Sequence, residues 1–176
     1  DLQDALVCAQ FLMSFIRNAD VVKVANLAQI ANVIAPVLTK DDRLLRQTIF
    51  EALAMFVGRR TGNSLRLGYS GPLVPSPEFD SVAMLDGAAI LNEDKELYVF
   101  AVNRSVDSEV ELTVELSGSH LEPVSCDLLH HSDPTTQNTW DNPESVRRSQ
   151  IDISRGSSPV IELPPHCLVA MTLEVS

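Results

Sequence analysis

The chain has 176 residues, with 24 Asp+Glu against 13 Lys+Arg and a formal net charge of −11. The length suits one domain, or one domain plus part of another, and is too short for a complete (β/α)8 barrel. The acidity argues against a nucleic-acid binder, which would present a basic face.

Apolar residues make up 45% and charged residues 21%, as in globular proteins. The longest uncharged stretch, Val24 to Thr39, holds Asn26, Gln29, Asn32 and Pro36. It is shorter and more polar than the roughly 20 apolar residues of a membrane span, so no membrane partner is expected. No basic segment followed by an apolar core opens the chain, so no signal peptide is expected in it. The chain begins at Asp1 rather than Met, so the native N-terminus is not seen. Cys8, Cys126 and Cys167 are odd in number and far apart, which favours buried thiols over a disulfide framework or a zinc site. That usage fits a reducing compartment, and the expected location is the cytoplasm.

The charge divides unevenly. Residues 1–60 carry 7 Lys+Arg and 6 Asp+Glu, whereas residues 61–176 carry 6 and 18. The first part reads helix, strand, helix. From Asp4 to Arg17, Ala5, Leu6, Cys8, Ala9, Phe11, Leu12, Phe15 and Ile16 form a broad helical stripe. Val21 to Ala28 is β-branched at its start and reads as a short buried parallel strand. Asp41-Asp42 then precede a second helix, with Leu44, Leu45, Thr48, Ile49, Ala52, Leu53 and Phe56 on one face and Gly58 near its end. A lone parallel strand needs neighbours on both sides. Residues 1–60 are therefore expected to be the end of a larger α/β domain, loosely held without it.

The second part reads as strands. These are Ser81–Leu91, with a break at Asp86-Gly87, then Glu96–Val102 and the strictly alternating Val110–Leu116. Glu122–Leu129, Gln150–Ile153, Val160–Leu163 and Cys167–Val175 follow. Such spacing predicts an antiparallel β-sandwich over 61–176, with a long polar loop at 131–148.

Chemistry is sparse. Glu109, Glu111 and Glu115 fall where a solvated sheet face would place them, and no catalytic carboxylate pair stands out. His130 and His131 are adjacent, so in a strand they point opposite ways. His120 and His166 have no ligand partner at an informative spacing, so no metal and no cofactor is expected. Gln29, just after the predicted strand, sits where parallel strands present binding groups. Its amide suits a sugar hydroxyl, but a loop amide bonded to its own backbone fits equally well. For Asn32 the loop role is favoured. Trp140 is the one candidate platform for stacking on a sugar ring, should the sandwich be a non-catalytic carbohydrate-binding or structural module.

Several runs are nonetheless specific. Asp4-Ala5-Leu6-Val7 through Phe11-Leu12, Ile16-Arg17-Asn18-Ala19-Asp20, VKVANLAQIANVIAPVLT and RQTIFEALAMF come first. Ala89–Glu93, Phe100–Ser105, Asn138-Thr139 with Asn142-Pro143, and Leu163–His166 follow in order. Together they resemble the C-terminal part of family 51 α-L-arabinofuranosidases, over nearly the whole chain. The resemblance implies the last helix–strand–helix of a (β/α)8 barrel over 1–60. A jelly-roll-like antiparallel β-sandwich would follow over 61–176. It implies a retaining glycosidase that releases terminal α-L-arabinofuranosyl groups from arabinan, arabinoxylan and their oligosaccharides, and a parent that forms homo-oligomers. The family's two catalytic glutamates lie on barrel strands before Asp1, so the resemblance places no catalytic residue in this chain, which alone is expected to be inactive. The family glutamine that hydrogen-bonds the arabinose corresponds to Gln29. Arg17, Asp20 and Asn32 also match, with structural or loop-shaping roles implied.

Overall fold

The computed structural model describes residues 1–154 and 158–176. Helix α1 spans Leu2–Arg17 and buries Leu2, Ala5, Leu6, Ala9 and Met13, a spacing that keeps one face inward. A capping box starts it: the Asp4 amide donates to Asp1 Oδ1 at 3.0 Å, and the Asp1 amine donates to Asp4 Oδ2 at 2.8 Å. Asn18 ends it, its side-chain amide donating to the Ser14 carbonyl at 2.8 Å.

The expected strand at Val21–Ala28 is not formed. After a turn at 18–21 the chain runs irregularly and exposed to about residue 34. A parallel strand is stable only between partners, and no described segment lies beside this one to pair with it. The second helix is also shorter than expected. Asp41-Asp42 do not begin it; they turn the hairpin of β1 (Val37–Lys40) and β2 (Arg43–Arg46). Asp41 takes φ 55°, a left-handed conformation that a short acidic side chain tolerates better than most. Leu44 lies 62% exposed on this hairpin rather than on a helix face. Helix α2 then runs Thr48–Val57 and buries Thr48, Glu51, Ala52, Met55 and Phe56.

The remaining strands are β3 (Asn63–Leu65), β4 (Leu73–Pro75), β5 (Ser81–Ala83), β6 (Leu85–Leu91), β7 (Glu96–Asn103) and β8 (Val110–Thr113). They continue with β9 (Leu121–Leu129), β10 (Ser149–Gln150), β11 (Val160–Leu163) and β12 (Cys167–Val175). A six-stranded sheet has the order β10-β9-β12-β7-β6-β3, with antiparallel neighbours throughout. β8 pairs with β11, and β4 with β5.

Both faces of the large sheet are covered. Tyr98, Phe100 and Val102 of β7, with Leu168 and Ala170 of β12, pack against α1 and α2. Leu97, Val99 and Ala101, with Cys167, Val169, Met171 and Leu173, join Ile161 and Leu163 of β11 on the other face. The period-2 pleat sends alternate residues to two cores, which is why β12 reads as an unbroken apolar run. Stacked Phe56 and Phe100 rings, 4.1 Å apart and 7° from parallel, join α2 to the sheet. Arg59, just past α2, pairs with Asp127 of β9 at 2.8 Å and donates to the Thr172 hydroxyl at 3.0 Å. The architecture is two helices on a mostly antiparallel β structure.

Candidate functional site

Gln29 lies in the exposed segment between the two helices. Its backbone φ is 59°, and Asn32 and Val33 follow at 64° and 58°. Left-handed φ is unfavourable for a β-branched residue such as Val33. Asn32 organises this segment from inside. Its side chain accepts from the Thr39 amide at 2.8 Å and donates to the Thr39 hydroxyl at 3.0 Å, and its own amide donates to the Val37 carbonyl at 2.8 Å. That is the loop-shaping role favoured for it. Arg17 holds α1 to β6, pairing with Asp86 at 3.0 Å and donating to the Gly87 carbonyl at 2.7 Å. Asp20 is exposed on the turn after α1.

The surroundings of Gln29 are apolar and bare. Val21, Val24, Leu27, Ile30, Val33 and Ile34 are each more than half exposed. The outer stripe of α1 adds Val7, Phe11 and Phe15. Next to this segment an open groove of about 530 Å³ runs between Leu12, Phe15, Val22, Val24, Leu53 and Phe56. Large exposed apolar surface of this kind is characteristic of interaction sites.

The other candidates fall elsewhere. Glu109, Glu111 and Glu115 are exposed, as the alternating strand pattern requires. Trp140 is only half exposed and carries the Arg43 guanidinium over its ring at 5.1 Å, so that face is not open for a sugar. His120 pairs loosely with Glu122 at 3.7 Å on the surface. His130 and His166, which sequence spacing did not connect, stand with ring centroids 5.5 Å apart. They lie at the end of β9 and in the turn before β12, two points that only the sheet order brings together. Among the described residues no group of three or more His, Cys, Asp or Glu is placed to hold a metal ion.

Cys126 and Cys167 are buried, and burial pushes each thiol up to about 12. Cys8 is half-buried, and its thiol is also pushed up by burial. None is an activated nucleophile, which would need a lowered pKa. Among the described residues no helix is long and apolar enough to cross a membrane.

Among the described residues the class is a mostly antiparallel β structure with two helices on one face and an exposed apolar segment beside them. The model of the α-L-arabinofuranosidase C-terminal domain matches residues 1–167, and the chain belongs to that family. The chain is 34% identical over 153 residues to an intracellular exo-α-(1→5)-L-arabinofuranosidase of Streptomyces lividans, covering 86% of this chain and 23% of that protein. It is 34% identical over 167 residues to the corresponding enzyme 1 of Bacillus subtilis, covering 92% and 32%. A solved family 51 α-L-arabinofuranosidase from Bifidobacterium longum superposes with a TM-score of 0.91 at 27% identity, covering 98% of this chain and 35% of that one. A family 51 arabinofuranosidase from Xanthomonas axonopodis superposes with a TM-score of 0.89 at 25% identity, covering 99% and 36%. The chain thus spans between 23% and 36% of the length of these relatives.

Proposed function

We propose that this chain is the C-terminal part of a retaining α-L-arabinofuranosidase acting on arabinofuranosyl saccharides, and that its apolar face seats the remainder of the catalytic barrel. The observation that carries this is the bare segment 21–34 within a chain that belongs to the C-terminal domain family. In this reading residues 1–60 complete the barrel and residues 61–176 form the jelly-roll-like sandwich. Val21–Ala28 gains its strand neighbours only when the barrel is present, and the left-handed residues around Gln29 belong to the unpartnered chain. Gln29 then hydrogen-bonds the arabinosyl group, while the two catalytic glutamates come from the rest of the enzyme. The assembled enzyme is a cytoplasmic homo-oligomer, a location supported by relatives named as intracellular.

The alternative, a carbohydrate-binding module, depends on Trp140, whose ring is already engaged by Arg43. Substituting Gln29→Ala in the enzyme that includes the catalytic barrel tests the site. The expected result is a loss of about five- to thirtyfold in kcat/KM on 4-nitrophenyl α-L-arabinofuranoside, since losing one substrate hydrogen bond is worth about 1–2 kcal/mol. Unchanged kcat/KM would remove Gln29 from the sugar site.

A further inference from the structure

Between β9 and β10 the polar loop crosses the start of α1. The Leu2 amide donates to the Thr136 carbonyl at 3.0 Å, and the Gln3 amide donates to the Pro134 carbonyl at 3.1 Å. The first turn of a helix has no internal acceptor for these amides, so residues 134–136 supply it. The loop is in turn fastened by histidines. His166 Nε2 lies 3.1 Å from the His131 carbonyl. A carbonyl only accepts, so Nε2 carries the proton. The Asp133 amide donates to His131 Nδ1 at 3.1 Å.

Two ring nitrogens are left over. His130 Nδ1 and His166 Nδ1 are both buried and have no hydrogen-bond partner among the described residues. With Nε2 protonated, the neutral His166 ring presents only a lone pair at Nδ1, which tolerates burial. A second proton there would be a buried donor without an acceptor, on a ring 5.5 Å from another imidazole. The buried, unpartnered Nδ1 of His130 beside a second imidazole therefore favours its neutral ring. His166 also takes φ 39°, a left-handed backbone held by the turn between β11 and β12.

We propose that the His130–His166 pair is an acid-sensitive latch: protonation parts the rings, frees the loop at 131–136 and releases the first turns of α1 from the sheet. Burial, and then the neighbouring His166, hold His130 below the ordinary histidine value of 6.5. The sign follows. A histidine with a lowered folded value contributes stability that is complete above about pH 6.5 and is lost as pH falls below it. The surrounding charges are few. From the loop come His131 and Asp133, the latter held below the usual carboxylate range first by the Thr135 hydroxyl, so it stays charged through this window. From the end of β7 comes Arg104, whose guanidinium is tied to the Ala83 carbonyl. α1 presents Gln3, Leu6 and Gln10 to the groove it shares with His166, and carries Asp1 and Asp4 at its start.

Hydrogen exchange of the 176-residue chain at pH 7.5 and pH 5.0, corrected for intrinsic rates, tests the latch. The expected result is an approximately tenfold or greater loss of protection over Leu2–Ala9 at pH 5.0, with β7 and β12 less affected. In the double variant His130→Phe with His166→Gln, which keeps Asp1, Asp4 and Asp133, that loss disappears. Equal protection at both pH values, or the same loss in the variant, overturns the proposal. NMR titration of the His130 ring in the unaltered chain gives an independent reading should the variant fold poorly. A midpoint below 6.5 accompanied by broadening of the α1 amides supports the latch, and a midpoint at or above 6.5 contradicts it.

Discussion

Single residues carry the clearest consequences where packing leaves no alternative. Arg59 bridges three strand residues from the end of α2, pairing with Asp127 at 2.8 Å, both largely buried, and donating to the Thr172 hydroxyl at 3.0 Å and the Ser125 hydroxyl at 3.3 Å. Arg59→Ala strands that carboxylate and is expected to lower stability by about 2–3 kcal/mol, read from urea unfolding at pH 7. Gly62 takes φ 130°, and a Cβ there would lie 2.4 Å from the Leu91 carbonyl oxygen. Neither the backbone angle nor the space admits a side chain, so Gly62→Ala should cost more than about 1 kcal/mol in the same measurement. The cysteines give a pH-dependent outcome. With Cys126 and Cys167 pushed up to about 12, both remain protonated at pH 8. An aromatic disulfide reagent at that pH should label neither before unfolding and all three thiols after it. Rapid labelling of two or more in the folded chain would contradict their burial.

At the scale of elements, α1, most of α2 and much of the sheet were legible in the sequence, and the segment between the two helices was not. β7, β9, β11 and β12 fall close to their expected spans because short apolar runs bounded by local turns mark them, whereas the break expected at Asp86-Gly87 falls at Met84, between β5 and β6. β2 was hidden inside an expected helix and β1, just before it, was not expected: Leu44 and Leu45 fit the helix stripe, and Asp41-Asp42 suit a helix start as well as a hairpin turn. Val21–Ala28 has the composition of a buried parallel strand, but composition cannot supply the neighbouring strands that make one. Gln29 was legible as a candidate from its place after that segment, whereas the His130–His166 contact was not, because it depends on β9 and β12 lying side by side. The helices are held more firmly than residues 1–60 were expected to be, since both bury an apolar face on the sheet. Phe56→Ala removes the ring stacked on Phe100 and is expected to cost about 3–5 kcal/mol, with early loss of α2 protection in hydrogen exchange. A cost below about 1 kcal/mol would show that α2 is not docked in this way.

Across the whole molecule the uneven charge and the bare apolar face take on a common meaning. Most acidic residues of 61–176 lie exposed, as Glu109, Glu111 and Glu115 do, while Asp127 is largely buried against Arg59. The nearly neutral first part instead exposes Val21, Val24, Ile30, Val33 and Ile34 together, a surface suited to burial against the remainder of an enzyme. Isolated chains are therefore expected to associate through it, and sedimentation should show this association fall when Val24 and Ile30 are replaced by Asp. The most direct test is catalytic. Purified 176-residue chain, supplied with 4-nitrophenyl α-L-arabinofuranoside, should release no 4-nitrophenol above background, while the enzyme proposed to include the barrel should hydrolyse it. Turnover by the chain alone would contradict its assignment as a non-catalytic C-terminal part.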